Sequence, residues 1–66
     1  MFTIDLFSPL LAECIDEFAL INYNDFCLMI SQTGGISELD YALRRFSDFK
    51  KFALDAWGFD VVVSKN

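Results

Sequence analysis

Phe26-Cys27-Leu28-Met29-Ile30-Ser31-Gln32-Thr33-Gly34-Gly35 is the stretch on which the architecture of this chain turns. Its five leading residues are continuously apolar and a polar, glycine-bearing segment follows. So short a run fits a buried strand, and the glycines after it fit a strand end, although periodicity over five residues also admits a short helix. A hairpin is the third arrangement, with 19–23 paired to 26–30 across Asn24-Asp25. The strand reading predicts β–α–β–α–β, and the helix reading removes the middle strand.

On the N-terminal side, Asn22-Tyr23-Asn24-Asp25 has the composition of a turn. Before it, Leu10, Leu11, Cys14, Ile15, Phe18 and Ile21 recur at three- and four-residue intervals, which predicts an amphipathic helix over about 9–21. Ser8 is its expected N-cap, and Pro9 takes the first helical position, where a missing N–H costs nothing. Residues 2–6 alternate apolar and polar, the period of a half-buried strand. On the C-terminal side, Ser37 is the expected cap of a second helix running to Trp57 and closed by Gly58. Leu39, Ala42, Leu43, Phe46, Phe49, Ala53, Ala56 and Trp57 share one arc of that helix at 100° per residue and are its expected core face. Phe59-Asp60-Val61-Val62-Val63 is rich in β-branched residues and reads as a last strand. The expected fold is therefore α+β, a small βαβαβ-type sandwich. It has about three short strands and two amphipathic helices on one face of the sheet, in a single domain over 1–66.

Sixty-six residues leave room for one small core, yet 55% of them are hydrophobic and eight are Phe. That surplus predicts exposed apolar surface and a homo-oligomer or a fixed partner. The longest apolar run, Phe26 to Ile30, is far below the roughly 20 residues that span a bilayer. The N-terminus has no positive region of the kind that opens a signal peptide, so a soluble, cytoplasmic protein is expected. Cys14 and Cys27 lie in apolar surroundings and are expected to be buried free thiols.

Charge is distributed unevenly. Asp5, Glu13, Asp16, Glu17, Asp25, Glu38 and Asp40 all precede the first cation, Arg44. The remaining basic residues, Arg45, Lys50, Lys51 and Lys65, follow it, and the whole chain carries a net −5. Such a field repels nucleic acid and anionic membranes and attracts a basic protein surface. Glu13, Asp16 and Glu17 stand at i, i+3 and i+4, opposite the apolar stripe of the first helix, and no cation on that helix offsets them. Like charges at i, i+4 cost a few tenths of a kcal/mol, so this acidic face is a candidate partner-binding site. On the second helix, Asp40, Arg44, Asp48, Lys51 and Asp55 form a ladder of opposite charges that reads as structural. Tyr41, Arg45 and Phe52 project at the border of its apolar arc and form a second candidate surface, Tyr and Arg being enriched in binding hot spots. Lys50 falls inside the arc, where its stem would snorkel or meet a carboxylate.

Catalysis finds no support in the residue pattern. Histidine is absent, no Ser or Cys has a base at a recognisable spacing, and no metal or cofactor motif is present. Thr33-Gly34-Gly35-Ile36-Ser37 precedes a helix but matches neither phosphate-binding fingerprint, and acidic residues follow at once. The expectation is a non-enzymatic, small acidic binding protein that inhibits or regulates a larger basic partner, one that itself handles nucleic acid being a natural target. Its acidic helix would imitate a row of phosphates in a Lys/Arg-lined groove. In size and charge alone the chain resembles the small acidic inhibitors of bacteriophages and other mobile elements, anti-CRISPR proteins among them. The competing expectation is a structural or accessory subunit that assembles through its aromatic surface.

Overall fold

Ser8 and Pro9 begin the helical part of the chain as their chemistry requires. The computed structural model describes residues 2–64, and in it Ser8 Oγ accepts the Leu10 N–H at 3.3 Å at the head of a 3-10 turn, Pro9–Leu11. The turn passes into helix α1, Ala12–Ile21. Ahead of it, strand β1, Phe2–Asp5, ends where Asp5 Oδ1 accepts the Phe7 N–H at 2.8 Å and bends the backbone away. Helices α2, Tyr23–Thr33, α3, Glu38–Arg44, and α4, Phe46–Trp57, follow, and strand β2, Phe59–Val62, comes last.

The architecture is α+β, with four helices and a two-stranded parallel sheet among the described residues. β1 lies beside β2 in register, Phe2 opposite Phe59 and Ile4 opposite Val61. The two ends of the described chain are thereby joined, and the helices between them form the crossover. The three-stranded sandwich expected from the sequence is not formed, because 26–30 is helical. Its apolar run belongs to a longer window, Tyr23, Phe26, Cys27 and Ile30, with helical spacing. Phe26 is buried, while Leu28 in the middle of the run is 57% exposed, which a buried central strand would not allow. Gly34, read as the end of a strand, is the left-handed cap of α2 at φ 81°, and its N–H donates to Ile30 O at 2.9 Å.

The predicted second helix is broken at Arg45, whose φ of −110° and ψ of 39° leave the helical region. A straight helix over 38–57 would run about 30 Å, close to the 35 Å of the molecule's longest axis. The break lets α3 pack against α1 while α4 lies over α1 and β2. It also rotates the second half of the arc. Phe49 and Ala53 are buried, Leu43 and Phe46 only half-buried, and Ala56, an expected core residue, is exposed.

Phe18 of α1 is the centre of the core. Its ring lies 5.5 Å from Tyr41, 5.2 Å from Phe49 in an edge-on arrangement, and 5.7 Å from Phe52, separations at which aromatic pairs attract beyond their buried area. Leu6, Leu11, Cys14 and Val61 close the core beneath it with no exposed surface. No helix among the described residues is long and apolar enough to cross a membrane.

Candidate functional site

Helix geometry sorts the carboxylates of α1 onto two lines. Cys14, Ile15, Phe18 and Ala19 face the core. Ala12, Asp16 and Leu20, four residues apart, run along one flank of that stripe, and Glu13 and Glu17 lie further round toward solvent. All three carboxylates are exposed, as the sequence implied, but they do not share one surroundings. Asp16 overlooks a groove. Glu13 and Glu17 stand on the outer ridge, with Glu13 in the positive first turn of α1.

The groove consists of two open depressions end to end. The larger, about 450 Å³, is lined by Asp16, Ala19, Leu20, Tyr23, Phe26 and Glu38. The second, about 290 Å³, lies toward the 3-10 turn, with Ala12, Ile15 and Leu39 in its lining and Phe7 and Pro9 at its end. Asp16 and Glu38 line both and so stand at the saddle between them. Glu38 is held there by its cap: Ser37 is extended and its Oγ accepts the Asp40 N–H at 3.1 Å, which fixes the first turn of α3 beside α1. Sequence spacing could not pair Asp16 with Glu38, since they meet only when α3 packs on α1. Several lining side chains are far more exposed than apolar groups usually are, Leu20 at 71% and Tyr23 at 59%.

Most of the acidic charge is unpartnered. Of the seven carboxylates in 1–43, Asp25 alone makes an ion pair among the described residues. It does so at a node that the sequence did not reveal. Asp25 Oδ2 accepts from Tyr41 Oη at 2.6 Å and from Arg45 Nε and Nη2, each at 2.9 Å. The Tyr41 hydroxyl, and then the Arg45 guanidinium, hold the Asp25 carboxyl below its usual range. Burial, and then the carboxylate facing it, push the Tyr41 phenol upward.

This node relocates the second candidate surface. Tyr41, expected at the border of the arc, has no exposed surface, and its ring packs 5.1 Å from Phe26. Phe52 is half-buried against Phe18, and Arg45 lies exposed over α2. The three are thus brought together around the α2–α3 contact. The charge ladder on the predicted second helix forms no ion pair among the described residues. The cations that pair are Arg45 and Lys50, whose Nζ lies 3.8 Å from Asp60 Oδ1 of β2.

The remaining chemistry is sparse. Among the described residues no group of three or more potential ligands converges as a metal site. Cys14 and Cys27 are free; Cys14 is fully buried and Cys27 half-buried. Burial, helped by the charge of Glu17, pushes the Cys14 thiol up to about 11. Comparison of the chain with family models, with curated proteins and with solved structures finds no match.

Proposed function

We propose that this chain is a small acidic binding protein that engages and regulates, or inhibits, a larger basic protein. The observation that carries the reading is the unpartnered acidic surface of α1 and of the first turn of α3. Glu13, Asp16, Glu17, Glu38 and Asp40 are exposed and have no cation beside them among the described residues. A surface left with that much uncompensated charge speeds encounter with a positive partner and disfavours negatively charged ones. A partner that handles nucleic acid has such a basic surface, and the carboxylates of α1 would occupy it as phosphates do.

The test is capture of partners from a lysate of the source cells, with the bound fraction measured as salt is raised. A basic protein should be retained at low ionic strength and released as the Debye length shrinks below about 8 Å. The variant Glu13→Gln, Asp16→Asn, Glu17→Gln should retain much less of it while melting at the parent temperature or slightly above, since Glu13 and Glu17 repel one another. Undiminished capture by that variant at low salt would overturn the reading.

A second reading, an accessory subunit or homo-oligomer assembled through apolar surface, draws support from a different observation. Phe2, Phe7, Leu10, Leu20, Ile21 and Leu28 are each more than half exposed, more than a lone small domain usually leaves in water. Sedimentation equilibrium at micromolar concentration separates the two. A salt-insensitive dimer favours assembly, and a monomer leaves the apolar surface to a foreign partner.

A further inference from the structure

We propose that the groove along α1 is a docking site for an amphipathic helix of a basic partner, one with two apolar anchors seven residues apart and a lysine or arginine between them. The proposal rests on the reading of the chain as a binder of basic proteins, and it names the segment that such a partner would insert.

Spacing carries the argument. The lining residues of the two depressions place them about one heptad apart along α1, from Ala12 to Ala19, a rise of about 10.5 Å. A helix lying alongside α1 repeats its surface over the same distance, since residues i and i+7 differ by only about 20° around the axis. An extended peptide does not fit. Its side chains on one face recur at about 6.6 or 13 Å, and the residue near 10 Å points to the opposite side. Two apolar anchors on a helical turn repeat therefore match both depressions at once, the usual way in which an amphipathic helix sits in a groove.

The charge at the saddle selects the residue between the anchors. Asp16 and Glu38 line both depressions and have no cation beside them among the described residues. A partner residue at i+3 or i+4 lies over that saddle, and Lys or Arg there would meet both carboxylates. The same pair argues against a second copy of this chain as the occupant, because two such grooves face to face would oppose carboxylate to carboxylate. Leu20 and Tyr23, at 71% and 59% exposure, supply apolar contact that is idle in the free protein.

The probe is a synthetic helix-forming peptide of about four turns, with Leu at i and i+7, Lys at i+3 and i+4, and Ala and Gln elsewhere, titrated into the 15N-labelled chain. Amide shifts should concentrate at Asp16, Ala19, Leu20, Tyr23 and Glu38, and the peptide should gain helical circular dichroism. Moving the second Leu to i+5, which turns it about 140° away from the first, should abolish the effect, as should replacing both Lys by Glu. Asp16→Asn with Glu38→Gln should weaken binding about tenfold, the combined worth of two exposed charge contacts. Asp48→Asn with Asp55→Asn, the same change in net charge on α4, should leave it within about twofold at physiological salt. Leu20→Ser, at a site too exposed to hold the fold, should also weaken it.

Absence of groove shifts at millimolar peptide, or equal binding by the shifted-anchor peptide, would overturn the proposal. Its failure is distinguishable from failure of the wider reading. If a basic lysate protein is lost with Glu13→Gln and Glu17→Gln but kept with Asp16→Asn and Glu38→Gln, the binder reading stands and the groove assignment falls. If the peptide occupies the groove while no salt-sensitive basic protein is captured, the groove assignment stands and the charge-based reading falls.

Discussion

Tyr41 Oη donates a 2.6 Å hydrogen bond to Asp25 Oδ2, joining side chains sixteen residues apart and tying α2 to α3. The same oxygen accepts from Arg45, the residue at which the helical path breaks. One carboxylate thus anchors the packing of α2 and the turn that separates α3 from α4. A buried phenol must find an acceptor or lose the hydrogen bonds that it made to water, and Asp25 is that acceptor.

Removing the phenol oxygen should therefore cost measurable stability. Tyr41→Phe keeps the ring against Phe18 and Phe26 and should lower unfolding free energy by about 1 kcal/mol. Urea denaturation followed by circular dichroism measures it, and an unchanged midpoint would show that the bond contributes nothing net.

Acid should reveal the same node. The folded carboxyl of Asp25 titrates below its ordinary value of 3.8. Its contribution is then complete above that value and is lost as the pH falls through the lowered one. Asp25→Asn should be less stable than the parent at neutral pH, with the gap narrowing below about pH 4. A gap that stays constant down to pH 2 would count against the ion pair as its source.

Two phenylalanines on α4 should behave differently although both fall on the predicted apolar arc. Phe49 has no exposed surface, and Phe49→Ala should cost about 3–5 kcal/mol, enough to unfold so small a domain. Phe46 sits at the start of α4 and is half-buried, so Phe46→Ala should cost about 1–2 kcal/mol. Thermal melts of the two variants rank them; the opposite order would move the helix break.

The helical reading of residues 23–33 has its own test. Gly34 holds φ at 81° with open space about its missing Cβ, so Gly34→Ala is penalised by backbone conformation alone, by about 1 kcal/mol. Substitution by D-Ala in a synthetic chain, which favours that conformation, should stabilise instead. A strand ending before Gly34 would show neither response.

The thiols should differ in reactivity by position. Cys27 is half-buried, whereas Cys14 is fully buried with its pKa raised to about 11. Alkylation at pH 8 followed by mass spectrometry should modify Cys27 first, with Cys14 reacting only on unfolding. Equal rates would contradict the burial of Cys14 beneath Phe18.

Local chemistry was legible in the sequence wherever a neighbour within four residues decides the conformation. Ser8 with Pro9, Ser37 with Asp40, and Gly58 after Trp57 each specify a helix end through contacts made inside one turn. The apolar faces of α1 and α4 follow from the same short-range periodicity, and so does the exposure of Glu13, Asp16 and Glu17. Tertiary structure decided what depends on contacts across the chain. Phe26–Ile30 is compatible with strand or helix, and no third strand is present to pair with it, so packing of Phe26 on Tyr41 and the cap at Gly34 select the helix. Tyr41 moved from border to interior because the turn at Arg45 rotates α3 onto α1. Asp25 gained two partners, and Asp16 met Glu38, through the docking of α2 and α3, at separations in sequence that no helical or strand period encodes.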